Sequence, residues 1–203
     1  MSYSINTKDI SNATGLLRGA VRAVEKAQMR AINRTASKTR TAASKAIRKD
    51  VRLKASYVNE NLKVSRKASI NNPEAVITGR KRPTRLARYG AKQMSRVAKQ
   101  ASGDTSRGIA SGRKQAGVSV AVKKGGSRKK MRKAFLIPLK GSNVMGVFVR
   151  TGRGKKDIKH LYGPSVDQVF RAVRTDLKPQ IRRNLVTEYE RQLANALRQE
   201  LKR

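Results

Sequence analysis

The stretch that decides the fold is residues 117–150, GVSVAVKKGGSRKKMRKAFLIPLKGSNVMGVFVR. Val118, Val120 and Val122 alternate with smaller or polar residues, the period of a strand with one face buried. GGSRKKMRK then reads as a basic turn, AFLIPL as a buried strand, and GSN as a tight connection into the strand VMGVFVR. The reading is a three-stranded antiparallel meander whose tip, Lys123–Lys133, is cationic.

On both sides of this block the hydrophobic period lengthens from two residues to between three and four. Upstream, Leu17, Ala20, Val21, Val24, Ala27, Ala31, Thr35, Ala42 and Ala46 recur at helical steps, which predicts one long helix over residues 11–50. Asp9, Ser11 and Asn12 are its candidate N-caps. A short helix near Ser56–Leu62, a strand at Lys63–Ser69, a turn at Asn71-Asn72-Pro73 and a strand at Ala75–Gly79 follow. Residues 98–117 carry four glycines and one large aliphatic, Ile109, and read as a mobile basic loop that orders only on assembly or against nucleic acid.

Downstream, Ser165 is a plausible N-cap for helices over residues 165–203. Pro179 interrupts them or opens a new one. Ile181, Leu185, Tyr189, Leu193, Leu197 and Leu201 form the expected buried stripe. The fold class is therefore α+β: a long N-terminal helix and a C-terminal helix packed on a small antiparallel β-sheet with basic loops. The whole chain, 1–203, reads as one domain, with residues 63–150 as its sheet region.

Charge limits what such a domain does. The 203 residues hold 49 Lys and Arg against 12 Asp and Glu, a formal net charge of +37. Leu, Ile, Val and Phe make up only 43 of them, so a free monomer has a thin core and strong self-repulsion. Residues 75–156 carry 23 Lys and Arg and a single acid, Asp104. A polyanionic partner is the simplest resolution, and nucleic acid is a physically reasonable one. Lys and Arg would bind it through the phosphates, by counterion release, without reading sequence. The contact candidates are the cationic tip and loop: Arg113, Lys114, Arg128, Lys129, Lys130, Arg132 and Lys133. Along the first helix, Arg18, Arg22, Lys26, Arg30, Arg34, Lys38 and Lys45 read equally as a DNA-tracking face or as a solvated one.

Other functions find little support. Without cysteine there is no disulfide frame and no thiolate metal site. The single histidine, His160, lacks a second histidine or grouped carboxylates, so neither a metal site nor catalysis is expected, and no cofactor motif is present. Phe135, Phe148 and Phe170 are expected in the core, and the aromatics are too few and scattered for a base-stacking platform. The N-terminus lacks a secretory pattern and no apolar run is long enough for a membrane span. On charge alone, a cytoplasmic nucleic-acid-binding protein of ribosomal or nucleoid type remains the alternative.

Residues 134–170 carry a more specific pattern. Gly146-Val147-Phe148-Val149-Arg150-Thr151-Gly152, a basic loop, and Leu161-Tyr162-Gly163-Pro164-Ser165-Val166 occur in that order before the last helix. Upstream stands Ala31-Ile32-Asn33-Arg34-Thr35-Ala36. This arrangement resembles the prophage minor tail protein Z family of tailed bacteriophages. The resemblance implies a structural protein of the virion, assembled in the host cytoplasm, which completes the tail where it meets the head and helps position the genome end. It further implies a ring, by default a hexamer, around genomic double-stranded DNA, which binds neighbouring neck, tail-terminator, tube or sheath proteins. Arg150, Tyr162, Gly163, Pro164 and Ser165 are expected to hold structure rather than ligand. Tyr162-Gly163-Pro164 would form the turn before the helix, with Gly163 adopting backbone geometry closed to other residues, and Arg150 would pair with Asp157 or Asp167 unless it meets DNA.

Overall fold

A computed structural model describes residues 7–139, 144–154 and 156–200, with side chains from residue 17 onward. In chain order the elements are α1 (Thr7–Asp50), α2 (Ala55–Asn61), β1 (Leu62–Arg66), β2 (Val76–Gly79) and β3 (Thr84–Arg85). A 3-10 turn (Leu86–Tyr89) leads to β4 (Lys92–Val97), and a second (Thr105–Arg107) to β5 (Arg113–Val120). Then come β6 (Lys129–Met131), β7 (Ala134–Pro138), β8 (Met145–Arg150), β9 (Ile158–His160), β10 (Tyr162–Gly163) and α3 (Val166–Glu200). The fold is α+β, as the sequence predicts. The caps expected at Asp9, Ser11 and Asn12, the GSN connection and Leu201 lie outside the described side chains.

The chain divides into two compact units. Met1–Ala42, Lys63–Thr78 and Thr175–Arg203 form the first, and Ala43–Leu62 with Gly79–Arg174 form the second. Both long helices contribute to each unit.

The first unit is built on close approach of small residues. Ala23 and Ala27 of α1 bury against Ala196 of α3, with Leu193 packed beside them. Alanine contributes no side-chain entropy cost and lets helix backbones approach. The expected stripes are therefore corrected. Ala27, Ala31 and Thr35 are buried, but Leu17, Val21 and Val24 are 69%, 58% and 37% exposed. On α3 the buried row is Glu188, Gln192 and Ala196, while Leu185 and Leu197 remain exposed. An ion pair accounts for part of this rotation. Lys38 Nζ lies 2.6 Å from Glu188 Oε1, and Arg191 Nη2 lies 2.7 Å from Oε2. Hydrogen bonding from Lys38 holds the Glu188 carboxyl below its usual range, and Arg191 adds to the effect. β1 and β2 pair in a two-stranded sheet, and Arg66 bonds Glu74 across the turn between them.

The sequence predicts a break or restart of the C-terminal helix at Pro179, yet α3 runs unbroken through it for 35 residues. Proline removes the hydrogen bond that the carbonyl of Thr175 would accept. Thr175 and Pro179 are both exposed, so water can take the vacant lone pair and the helix survives.

In the second unit the expected meander becomes two sheets. β4, β5 and β6 form one, in that order, and β7, β8 and β9 the other, while β10 pairs with β3. Beyond Val120 the chain does not continue pairing within a meander. Arg52 N–H donates to Val122 O (2.8 Å) and Lys124 N–H to Asp50 O (2.9 Å), so the end of α1 takes that edge. Gln93 joins the two sheets. Its amide donates to Gly117 O (2.8 Å) and accepts from Leu136 N–H (3.1 Å).

The expected loop over residues 98–117 is shorter and more structured than its composition suggests. β5 already begins at Arg113. Before it, Asp104 and Ile109 exchange two backbone hydrogen bonds of 2.8 Å. Ile109 is buried, and Gly103, Gly108 and Gly112 supply positive φ at the turns.

Candidate nucleic-acid interface

The seven cations singled out from sequence divide into distinct environments. Arg128 is a staple: it is half-buried, and Nη2 donates to Gly90 O (2.7 Å) and Ser119 O (2.8 Å) while Nε reaches Ser119 Oγ (3.3 Å). Arg113 is bound across the sheet, with Nε donating to Ser95 Oγ at 2.8 Å. Lys114 on β5 and Lys129 and Lys130 on β6 are exposed. Arg132 and Lys133, in the turn between β6 and β7, come together with two arginines from distant segments.

Those partners are Arg107 and Arg150. With Arg132 and Lys133 they line an open cleft of about 490 Å³ whose wall includes Phe135, Gln115 and Thr151. The Arg150 guanidinium sits 5.8 Å from the Phe135 ring centroid, and its Nη1 donates to Gly154 O at 3.0 Å. It therefore pairs with neither Asp157 nor Asp167. Asp157 accepts from Gly154 N–H (2.9 Å), and Asp167 pairs with Arg171 (3.0 Å). Arg107 Nε lies 3.1 Å from Asp104 Oδ2, and its Nη1 donates to Gln115 Oε1 at 3.2 Å. A hydrogen bond from Ser106 holds the Asp104 carboxyl below its usual range, assisted by Arg107. Four cations thus line the cleft, and Asp104 pairs with one of them, Arg107. Guanidinium groups in that density suit phosphate oxygens, which they bind through paired N–H donors. Sequence alone does not mark Arg107 and Arg150 as members, because 25 and 18 residues separate them from Arg132.

Aromatic rings that look scattered in sequence also converge. Phe135, Phe148 and His160 occupy directly opposed positions on β7, β8 and β9. Their ring centroids lie 6.4 and 4.5 Å apart, and Tyr162 continues the row 4.5 Å beyond His160. His160 Nε2 is buried and has no hydrogen-bond partner among the described residues. Burial, and then the charge of Arg85, lowers the His160 pKa. An imidazole set between aromatic rings, its charged form disfavoured by burial, suits packing. Among the described residues no group of three or more His, Asp or Glu could hold a metal ion.

The segment 161–166 has a geometric explanation for each polar or small residue. Gly163 pairs with Thr84 in the β10–β3 ladder. A Cβ there would lie 2.7 Å from Tyr89 Cε2, while its φ is not positive. The glycine is thus needed for close approach of the Tyr89 ring, and not for unusual backbone geometry as expected. The Tyr89 hydroxyl donates to Pro164 O at 2.6 Å, and burial pushes its pKa up to about 12. Ser165 Oγ accepts from Gln168 N–H (3.1 Å) while Gln168 Oε1 accepts from Ser165 N–H (2.8 Å), a reciprocal capping box that starts α3. Tyr162 itself is exposed.

The family model of prophage minor tail protein Z matches residues 8–203, nearly the whole chain. No curated protein and no solved structure matches it. No helix among the described residues is long and apolar enough to cross a membrane. With the match spanning both units, the chain belongs to the prophage minor tail protein Z family and is a minor tail structural protein of the phage virion.

Proposed function

We propose that this protein completes the tail at the head–tail junction, as a ring of copies, by default six, around the path of the genome. It contacts the DNA backbone without reading sequence, and it joins neighbouring neck, tail-terminator, tube or sheath proteins. The observation that carries this reading is the cleft of Arg107, Arg132, Lys133 and Arg150 in the most basic segment of the chain, residues 75–156. Phosphate-directed cations of this kind supply affinity and position but no base specificity. The exposed Leu17, Val21 and Val24 on α1 and Val186 on α3 support contacts between copies or with neighbouring rings, since such side chains gain by leaving water. Family membership favours this reading over a free ribosomal or nucleoid protein.

Particles made without the protein provide the test. Filled heads and full-length tails that do not join into infective virions are the expected result. Infective, normally joined particles would refute the assignment.

A further inference from the structure

A second cationic surface lies in the first unit, outside the segment that carries most of the charge. Arg30 and Arg34 on α1 face Arg191 and Arg198 on α3 across a groove of about 510 Å³, with Asn195 and Gln199 beside them. Arg34 and Arg191 also border an adjoining groove of about 570 Å³ that adds Lys38 and Lys67. Arg30, Arg34 and Arg198 are exposed, and no ion-pair partner meets them among the described residues. Among the described residues lining the two grooves, the one carboxylate is Glu188, in the second, 2% exposed and already bonded to Lys38 and Arg191.

We propose that this interhelical groove is a binding site for a nucleic-acid sugar–phosphate backbone. It rests on the reading of backbone contact made above and gives that contact a second, separate site. From Arg30 to Lys38 the helix rises about 12 Å, a length over which one strand of B-form DNA carries three to four phosphates at about 3.4 Å each. A second copy of this chain is a poorer occupant of this four-arginine groove, because the chain has 12 acids against 49 Lys and Arg and offers few carboxylates to place there. An acidic protein partner fits less well than nucleic acid. Protein interfaces centre on buried aromatic and aliphatic anchors, whereas this groove offers guanidinium and amide donors, the groups that position phosphates.

The test is fluorescence anisotropy of the full-length protein with a labelled 30-base-pair duplex of arbitrary sequence, titrated with salt. The variant Arg30→Gln/Arg34→Gln/Arg198→Gln leaves the Lys38–Glu188–Arg191 cluster intact, and circular dichroism checks its helix content. Its slope of log K against log salt is expected to be shallower than that of the parent by about 2 to 3, at roughly 0.9 for each phosphate no longer neutralised. Arg30→Lys/Arg34→Lys/Arg198→Lys, which keeps the charges and every backbone preference, should retain the parent slope. Failure of the parent protein to bind the duplex would overturn the backbone reading itself. An unchanged slope in the glutamine variant, beside a reduced one in Arg107→Gln/Arg132→Gln/Lys133→Gln, would overturn the groove alone. The same assay with labelled poly-glutamate gives a third outcome: loss of poly-glutamate binding in the glutamine variant, with duplex binding unchanged, would also overturn the groove and assign it to an acidic protein.

Discussion

Asn33 of α1 makes both hydrogen bonds of its amide to one residue, Ala68: Nδ2 donates to Ala68 O at 2.9 Å and Oδ1 accepts from Ala68 N–H at 2.8 Å. Ala68 is buried, so its peptide groups depend on this side chain for partners. The asparagine in Ala31-Ile32-Asn33-Arg34-Thr35-Ala36 thus ties the segment after β1 to the helix. Asn33→Ala should lower unfolding free energy by about 1–3 kcal/mol, the cost of leaving a buried donor and acceptor unmade. Asn33→Asp should restore only the acceptor half. Urea denaturation of the three proteins checks the order; an alanine variant as stable as the parent would remove this role.

Gly163 and Tyr89 form a second interdependent pair. Gly163→Ala places a methyl group 2.7 Å from the Tyr89 ring, and overpacking of that kind costs about 1–3 kcal/mol. In a double-mutant cycle with Tyr89→Leu, part of that loss should be recovered, because the smaller side chain vacates the space. Strict additivity of the two losses would show that the glycine serves another purpose.

His160 gives the protein a defined response to mild acid. Its folded pKa is lowered below the ordinary 6.5, first by burial. Between the folded value and 6.5, the unfolded chain binds the proton and the folded chain does not, so stability falls as pH drops through that window. Above pH 6.5 the contribution is fully present. His160→Phe keeps the ring row and removes the orphaned Nε2, so its stability should change less than the parent's between pH 7.5 and 5. Thermal melts across that range read the difference; parallel curves would contradict it.

Glu188 titrates in the same direction but lower. Its folded pKa is lowered from 4.5 by Lys38 and Arg191, so the stabilisation is complete above about pH 4.5 and is lost as pH falls through the folded value. Glu188→Gln should cost about 1–2 kcal/mol at pH 7. That is the lower part of the range for charged hydrogen bonds, because Lys38 and Arg191 are about half exposed and regain water. The variant should also show a flatter stability profile between pH 5 and 3.

Much of the fold can be read directly from local sequence. The alternation in Val118–Val120, the apolar run Ala134–Pro138 and the Ser165–Gln168 box each specify their own element. Pairing between distant segments cannot be read that way. β4, Lys92–Val97, is a polar strand with little hydrophobic signal, yet it flanks β5 along six residues. Periodicity likewise locates α3 but misses its buried face, since Glu188 is paired with Lys38 and Ala196 packs on the alanines of α1. The cationic cleft is half visible: Arg132 and Lys133 stand in a charge run, whereas Arg107 and Arg150 reach it only through the fold.

Cryo-electron microscopy of the virion at the head–tail junction tests the central claim most directly. A ring of this protein is expected at the head-proximal end of the tail, with Arg107, Arg132, Lys133 and Arg150 turned toward DNA density in the channel. A junction built without this chain, or a ring whose cleft faces away from the DNA, would contradict it.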